Sequence, residues 1–235
     1  MALPKLSVPQ YRVKLPSTGE QLSMRPYLVK EEKILLIALE SKDAVQIQNA
    51  VRNLIMSCYD IEDANKLTSF DLEFLFLQLR AKSVGEKIKL RAKCEECDTL
   101  NEYEINIDEV KIDNLDNEKT FMLDKEGKVG ITMRYPTMEH LSKMDLNKLD
   151  SIDGLLDLIK VCVDTIFDEE NVFRADEETP EDLSDFIESF SSEQFSKLQK
   201  FFEKLPSMTY NDEIVCTKCS HKNKIELRGL QSFFT

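Results

Sequence analysis

The sequence predicts an α+β fold that is mainly helical and that contains two Cys-x-x-Cys β-hairpins from distant parts of the chain. Two observations lead to this prediction. Apolar residues recur three and four positions apart over several long segments, a spacing typical of amphipathic helices. Alternating apolar and polar residues flank two Cys-x-x-Cys pairs, and alternation is typical of strands. With 235 residues, the chain is long enough to bury an apolar core without disulfide bonds.

The first 28 residues are predicted to form an extended arm followed by a hairpin. Three prolines within the first 16 residues disfavour helix there, because proline withholds a backbone donor and restricts the residue before it. Residues 11–15 alternate, Ser17-Thr18-Gly19-Glu20 is a turn sequence, and residues 21–27 return as the second strand.

Residues 29–85 are predicted to form a helical segment. Helical spacing extends over residues 29–39 and 44–59, and a third helix follows at residues 69–83 with Ser69 as its N-cap. The third helix has one apolar face, which we expect in the core and which consists of Leu72, Leu75, Phe76 and Leu79.

Residues 111–207 are predicted to be an inserted segment with a hairpin and helices. The hairpin joins residues 121–123 to residues 129–133 through an Asp-Lys-Glu-Gly turn. Helical spacing then covers residues 152–167.

The rest of this segment is an acidic stretch and a final helix. Residues 168–181 are interpreted as a solvated loop because they are rich in carboxylates. The helix that follows is expected to have Ser192 as its N-cap and to end before Pro206.

The two Cys-x-x-Cys pairs carry the strongest functional signal. In each pair the two intervening residues form a tight turn that aims both sulfurs at one point, which is half of a tetrahedral metal site. An asparagine stands four residues after the second cysteine of both pairs. We therefore predict that residues 86–110 and 208–235 are the two halves of one split zinc ribbon. Its predicted metal ligands are Cys94, Cys97, Cys216 and Cys219.

Three interpretations of these cysteines remain open from the sequence. Structural Zn²⁺ is favoured, because four thiolates are a common zinc ligand set. An iron–sulfur cluster uses the same ligands, and buried free thiols without a metal are the third interpretation. With four thiolates bound, an ion has no open position for water, so its role would be structural rather than catalytic.

The other cysteines and the two histidines are not predicted to be ligands. Cys58 and Cys162 lie on apolar faces of predicted helices, where free cysteine behaves as a small hydrophobic residue. His221 follows the last cysteine closely and is interpreted as a surface residue. His140 lacks a neighbouring cysteine and is interpreted as structural.

Composition limits the partners and the compartment. The chain has 31 Lys and Arg against 44 Asp and Glu, a formal net charge of −13, which disfavours nucleic acid and anionic membranes as partners. It has no apolar run long enough for a transmembrane helix, and its first residues lack the apolar core of a signal peptide. We expect a cytoplasmic protein whose partner is a neutral or basic protein.

An enzyme is not predicted, and nucleic-acid binding is the alternative function. The sequence lacks the glycine-rich, metalloprotease and nucleophile-elbow motifs, and it has only two histidines, so we expect no small-molecule substrate. A zinc ribbon that binds nucleic acid remains an alternative, because basic residues surround both cysteine pairs: Lys87, Lys89, Arg91, Lys93, Lys218, Lys222, Lys224 and Arg228.

Two segments resemble the baseplate proteins of T-even-type contractile-tailed bacteriophages. The C-terminal segment is SSEQFSKLQKFFEKLPSMTYNDEIVCTKCSHKNKIELRGLQSFFT, and the upstream segment is KIKLRAKCEECDTLNEYEINIDEV. Together they cover about a third of the chain. One departure is that Asp98 and Ser220 stand where zinc-binding turns usually have glycine.

The resemblance implies a noncatalytic hub subunit or hub assembly factor. It implies partners among the other baseplate hub proteins, with assembly in the host cytoplasm and a place in the tail baseplate of the virion. Phe233 and Phe234 either anchor in a partner's groove or fold back onto their own domain.

Overall fold

The structure is a computed structural model that describes residues 6–144 and 151–233. Residues 1–5 of the predicted arm and Phe234 lie outside the described residues. Residues 6–10 precede the first strand without regular secondary structure.

The fold combines helices with antiparallel sheets and is not mainly helical. In the part of the chain that the structure describes, seven α-helices accompany eleven strands, which form four sheets. The prediction of a mainly helical fold is therefore wrong. Many of the strands are short, and one, over residues 163–167, begins directly where a helix ends, so the helical periodicity of the preceding residues hides it.

The bounds of the elements are as follows. The helices are α1 (Val29–Ser41), α2 (Ala44–Cys58), α3 (Ser69–Ser83), α4 (Met138–Lys143), α5 (Ile152–Cys162), α6 (Pro180–Glu188) and α7 (Ser192–Glu203). The strands are β1 (Tyr11–Lys14), β2 (Gln21–Met24), β3 (Lys87–Lys93), β4 (Leu100–Asn106), β5 (Lys111–Asp113), β6 (Thr120–Met122), β7 (Gly130–Met133), β8 (Val163–Phe167), β9 (Val172–Arg174), β10 (Ser207–Val215) and β11 (Lys222–Arg228).

The chain divides into two compact units. The first unit consists of the residues up to 113 and those from 207 onward, and the second consists of residues 114–206. The four-part division of the chain expected from the sequence stays a prediction.

The first unit contains the N-terminal hairpin, three helices and both cysteine pairs. Strands β1 and β2 form the predicted hairpin, in which Val13 lies opposite Leu22. Among the strands that the structure describes, β3 pairs only with β4, whereas β10 lies between β5 and β11 in a three-stranded sheet. Each of the pairs β3–β4 and β10–β11 is antiparallel and carries one Cys-x-x-Cys turn.

Helix α3 provides much of the core of the first unit. Its predicted apolar face is buried as expected, at Leu72, Leu75, Phe76 and Leu79. Its N-cap is Thr68 and not the predicted Ser69, because the Thr68 hydroxyl accepts the N–H of Asp71 at 3.2 Å. The buried Asp71 carboxylate in turn accepts the N–H of Ser17 at 3.0 Å, which ties the turn of the N-terminal hairpin to this helix.

The C-terminal turn (Leu230–Phe233) follows β11. Phe233 is buried, with 4% of its surface exposed. Phe233 therefore folds back onto its own chain, which is one of the two alternatives expected for the terminal phenylalanines.

The described residues of the second unit form a four-stranded sheet and four helices. The strand order is β6-β7-β8-β9, and all neighbouring strands are antiparallel. The predicted hairpin is the pair β6–β7. The predicted helix over residues 152–167 ends at Cys162 and β8 begins at the next residue, so the prediction is wrong for the last five residues.

Two further predictions for the second unit need correction. The acidic residues 168–181 are not a simple loop, since they contain β9 and the start of α6. The N-cap of α7 is Ser191 and not Ser192, because the Ser191 hydroxyl accepts the N–H of Gln194. Among the described residues, no helix has the length and apolar character needed to cross a membrane.

Candidate metal centre

Two antiparallel hairpins place the four cysteines in one cluster. We name residues 87–106 the first cysteine hairpin and residues 207–228 the second. Each carries its Cys-x-x-Cys pair in the connection between its two strands. Strand pairing fixes both ends of each connection, which limits the positions that the sulfurs can take.

The two turns have the same hydrogen-bond pattern. In the first, the N–H of Cys94 donates to the carbonyl of Thr99 at 2.9 Å, and the N–H of Asp98 donates back to the carbonyl of Cys94 at 3.0 Å. In the second, the N–H of Cys216 donates to His221 at 2.8 Å, and Ser220 donates to Cys216 at 3.0 Å. The cysteine repeat seen in the sequence is therefore also a repeat of backbone geometry.

Asp98 and Ser220 occupy the left-handed backbone region. Their φ angles are +55° and +61°, which explains why glycine is usual at such positions. Aspartate tolerates this region better than most residues, because its short side chain can hydrogen-bond to the nearby backbone. Serine is less favoured in this region. The departure from glycine noted in the sequence thus has a backbone cost but does not prevent the turn.

The sulfurs of the two pairs lie close together. The four Sγ atoms all lie within 4.8 Å of one another, and the Cys94–Cys219 and Cys97–Cys216 pairs are each separated by 3.6 Å. These contacts are far longer than a disulfide bond, which is about 2.05 Å. A tetrahedral ion with bonds of about 2.3 Å to sulfur would have ligands about 3.8 Å apart, so the cluster has the size of a single-ion site.

Asn101 and Asn223 connect the two hairpins around this cluster. The side-chain oxygen of Asn101 accepts the N–H of Thr217 at 2.9 Å, and that of Asn223 accepts the N–H of Glu95 at 2.9 Å. Both asparagines are buried, and the amide of Asn101 also points to the sulfur of Cys216 at 3.6 Å. The equal spacing of the two asparagines after the cysteines is visible in the sequence. The sequence does not indicate that each asparagine bonds to the opposite hairpin.

Comparison with known proteins identifies the family. Residues 8–235 match the family described as T4 bacteriophage base plate protein. The chain belongs to this family. The match covers nearly the whole chain, so the resemblance seen in two segments of the sequence is confirmed. No curated protein and no solved structure gives a match.

Family membership assigns a structural role. The chain is a bacteriophage baseplate protein that associates with the virion tail and assembles with other baseplate components.

The thiols of this baseplate protein differ strongly in acidity. The N–H groups of Cys219 and Lys218 lower the pKa of Cys216 to about 6. Hydrogen bonds from the hydroxyl and backbone of Thr99 lower the pKa of Cys97. The pKa of Cys219 is raised to about 12: the N–H of His221 opposes the rise, but desolvation and the neighbouring sulfurs outweigh it. Four thiolates this close together would repel one another unless a cation lay between them, which is the charge that a divalent metal ion would supply.

The remaining cysteines do not belong to this cluster. Cys58 and Cys162 are buried, and burial raises the pKa of Cys58 to about 11 and that of Cys162 to about 12. Their interpretation as small hydrophobic residues is confirmed.

The histidines also lie outside the cluster. His221 contributes its carbonyl to the second turn, and its imidazole does not belong to the sulfur group. His140 has the structural role expected, because its Nδ1 accepts the N–H of Thr137 at the start of α4.

Ion pairs reduce the positive charge around the cysteine hairpins. Lys87 pairs with Glu104 at 2.6 Å, and Arg91 pairs with Glu102 at 2.7 Å, both across the first hairpin. Lys222 pairs with Glu213 at 2.7 Å in the second. Basic residues that the sequence suggested as a nucleic-acid surface are thus partly neutralised by carboxylates on the facing strand.

Proposed function

We propose that this baseplate protein is a noncatalytic hub subunit or hub assembly factor that acts through contacts with other hub proteins. The observation that carries the proposal is the family match over residues 8–235, together with the C-terminal segment that resembles T-even-type baseplate proteins. Assembly would take place in the host cytoplasm. The acidic net charge of −13 fits a protein partner better than nucleic acid or an anionic membrane.

We assign a structural Zn²⁺ ion to the thiolate cluster of Cys94, Cys97, Cys216 and Cys219. The mutual separation within 4.8 Å supports a single tetrahedral ion. A cluster of several irons bridged by sulfides would need its thiolates farther apart, so the geometry disfavours the iron–sulfur alternative. The ion would join the β3–β4 hairpin to the sheet that contains β10 and β11. It would have no open position for catalysis.

Metal analysis of the purified protein tests the ion. We expect one zinc ion per chain and no visible absorption from iron. Cys94→Ser and Cys216→Ser should lose the metal, because each removes a thiolate. Cys58→Ala is the matched control, since this buried thiol lies outside the cluster, and it should retain the metal. A metal-free wild-type protein, or iron in stoichiometric amount, would contradict the zinc assignment.

Cross-linking in infected cells tests the hub role. A tagged copy of the chain, cross-linked during phage assembly and analysed by mass spectrometry, should be linked to hub proteins of the baseplate. Analysis of purified virions then separates the two variants of the proposal, because a subunit stays in the particle and an assembly factor leaves it. Cross-links confined to peripheral baseplate proteins would exclude both variants.

A further inference from the structure

The negative charge of the chain is concentrated in the second unit. Residues 114–206 contain 22 Asp and Glu against 11 Lys and Arg, which gives −11 of the total formal charge of −13. The rest of the chain, with 22 against 20, contributes only −2. A charged partner of the second unit would therefore be basic.

An apolar pocket opens in this acidic unit between its sheet and helix α6. Its volume is about 280 Å³, enough for one or two large side chains. The apolar wall consists of Val129, Ile166, Phe167, Phe173, Leu183 and Phe186. Three carboxylate residues, Asp168, Glu178 and Asp182, complete the lining.

These carboxylates do not form a cation site of their own. In the described ranges, only the four cysteines bring metal-binding atoms close enough together to hold an ion. Asp168 instead accepts the N–H groups of Glu170 and Asn171, which lower its pKa and keep it ionised. The nearby Lys128 pairs with Glu126 and Glu169, neither of which lines the pocket.

The pocket lies beside an open sheet edge. Strand β9 is last in the order β6-β7-β8-β9, and one side of its backbone has no partner strand among the described residues. Phe173 of β9 lines the pocket and is 43% exposed. An extended segment that paired with this edge would place alternate side chains over the pocket.

We infer that this pocket binds an extended segment of another baseplate protein, in which a large apolar residue is flanked by Lys or Arg. The apolar side chain enters between the sheet and α6, and the flanking cations pair with Glu178 and Asp182. Anionic lipid and nucleic acid are repelled by the charge of the unit. The inference rests on the baseplate role only for the choice of partner, and not on the hub assignment or on the metal.

Short overlapping peptides that cover all tail proteins of the same phage are the probe. The full-length purified chain, labelled with a fluorophore, is applied to an array of these peptides, and the hits are measured by fluorescence anisotropy. We expect the bound peptides to share a large apolar residue beside Lys or Arg. Their affinity should fall as salt is raised, because the pairs at the rim are exposed.

Variants on the two faces of β9 test the apolar wall. Phe173→Ser should weaken binding by roughly tenfold or more, the loss expected for an anchoring aromatic residue. Val172→Ser on the same strand is the control, because Val172 is 68% exposed but does not line the pocket. It should leave the affinity unchanged.

A second pair of variants tests the rim. The double variant Glu178→Gln/Asp182→Asn should weaken binding and flatten its salt dependence. Glu170→Gln/Glu181→Gln removes the same charge from neighbouring residues outside the pocket and should have little effect. An equal loss of affinity in both double variants would indicate that the peptide is attracted by the charge of the unit as a whole. It would overturn the assignment of the binding site to this pocket.

The other outcomes are equally decisive. Absence of any bound peptide, or hits rich in acidic residues, would overturn the inference while leaving the hub proposal intact. Residues 1–19 of this same chain carry basic residues and no carboxylate. If the array selected a peptide from these residues, the partner would be a second copy of the chain, and the inference would be overturned as well. If peptides bind as expected but no cross-links to hub proteins are found, the inference about the pocket is supported and the hub assignment is contradicted.

Discussion

The aromatic ring of Phe167 lies directly over Gly130. The two residues are opposite each other on strands β8 and β7, and a β-carbon built on Gly130 would overlap Cζ of Phe167. Glycine is therefore required here for space and not for an unusual backbone angle. The absence of a side chain at Gly130 leaves room for the ring of Phe167.

Gly130→Ala is expected to destabilise the second unit by about 1–3 kcal/mol, because the new methyl group overlaps the ring and forces it to move. Urea denaturation of the purified protein measures this loss. The double variant Gly130→Ala/Phe167→Leu should recover part of the stability, since leucine frees the space that the methyl needs. A single variant as stable as the wild type would show that the ring moves without cost.

The asparagines that join the cysteine hairpins are expected to tune the metal site. Asn101→Ala leaves the N–H of Thr217 without its acceptor, and Asn223→Ala does the same to Glu95. Outer residues of this kind typically change metal affinity by about 10–100-fold. Competition with a chromogenic zinc chelator should show a loss of this size for either variant.

The control for this prediction is Asn211→Ala. Asn211 is exposed on β10 of the second cysteine hairpin, so its loss should not change the affinity for zinc. If all three alanine variants behaved alike, the reciprocal hydrogen bonds would have no special role.

The six cysteines are expected to differ in their reaction with iodoacetamide. In the metal-bound protein none should react at neutral pH, because four are ligands and two are buried. After removal of the metal, Cys97 should be alkylated first, since it is half-exposed and its pKa is lowered. Cys58 and Cys162 should stay unmodified until the protein unfolds, since burial and their raised pKa values keep them as inert thiols. Mass spectrometry of tryptic peptides measures each site, and early labelling of Cys162 would contradict the buried position.

The cysteine cluster could be predicted because its signal is local. Each Cys-x-x-Cys turn is defined by a few adjacent residues, and strand alternation on both sides identifies the hairpin. That the two pairs share one site was a hypothesis drawn from their repetition, and the 3.6 Å separation of Cys94 and Cys219 supports the shared cluster.

The balance of helix and sheet could not be predicted in the same way. Apolar residues at helical spacing continue from α5 into β8, so the sequence pattern does not reveal that the helix ends at Cys162. The charged residues around β9 resemble a solvated loop, because an edge strand of three residues has too few positions for a periodicity to be recognised. Strand β5 depends on β10, which lies almost a hundred residues later, and no local pattern encodes such a pairing.

Acid is expected to release the metal. The pKa of Cys216 is lowered from the ordinary 9.0 to about 6, so in the metal-free protein its thiolate stabilises the fold fully above about pH 9. That contribution is lost as the pH falls towards 6.

The thiol of Cys219, with its pKa raised to about 12, must instead lose a proton when the metal binds at neutral pH. Zinc should therefore be retained at neutral pH and released in acid, where protons compete with the ion for the thiolates. A chromogenic chelator follows the release, and circular dichroism follows unfolding in the same samples. The Cys216→Ser variant should fail to hold zinc even at neutral pH. Zinc that leaves the wild-type protein only together with global unfolding would contradict control of the site by thiol protonation.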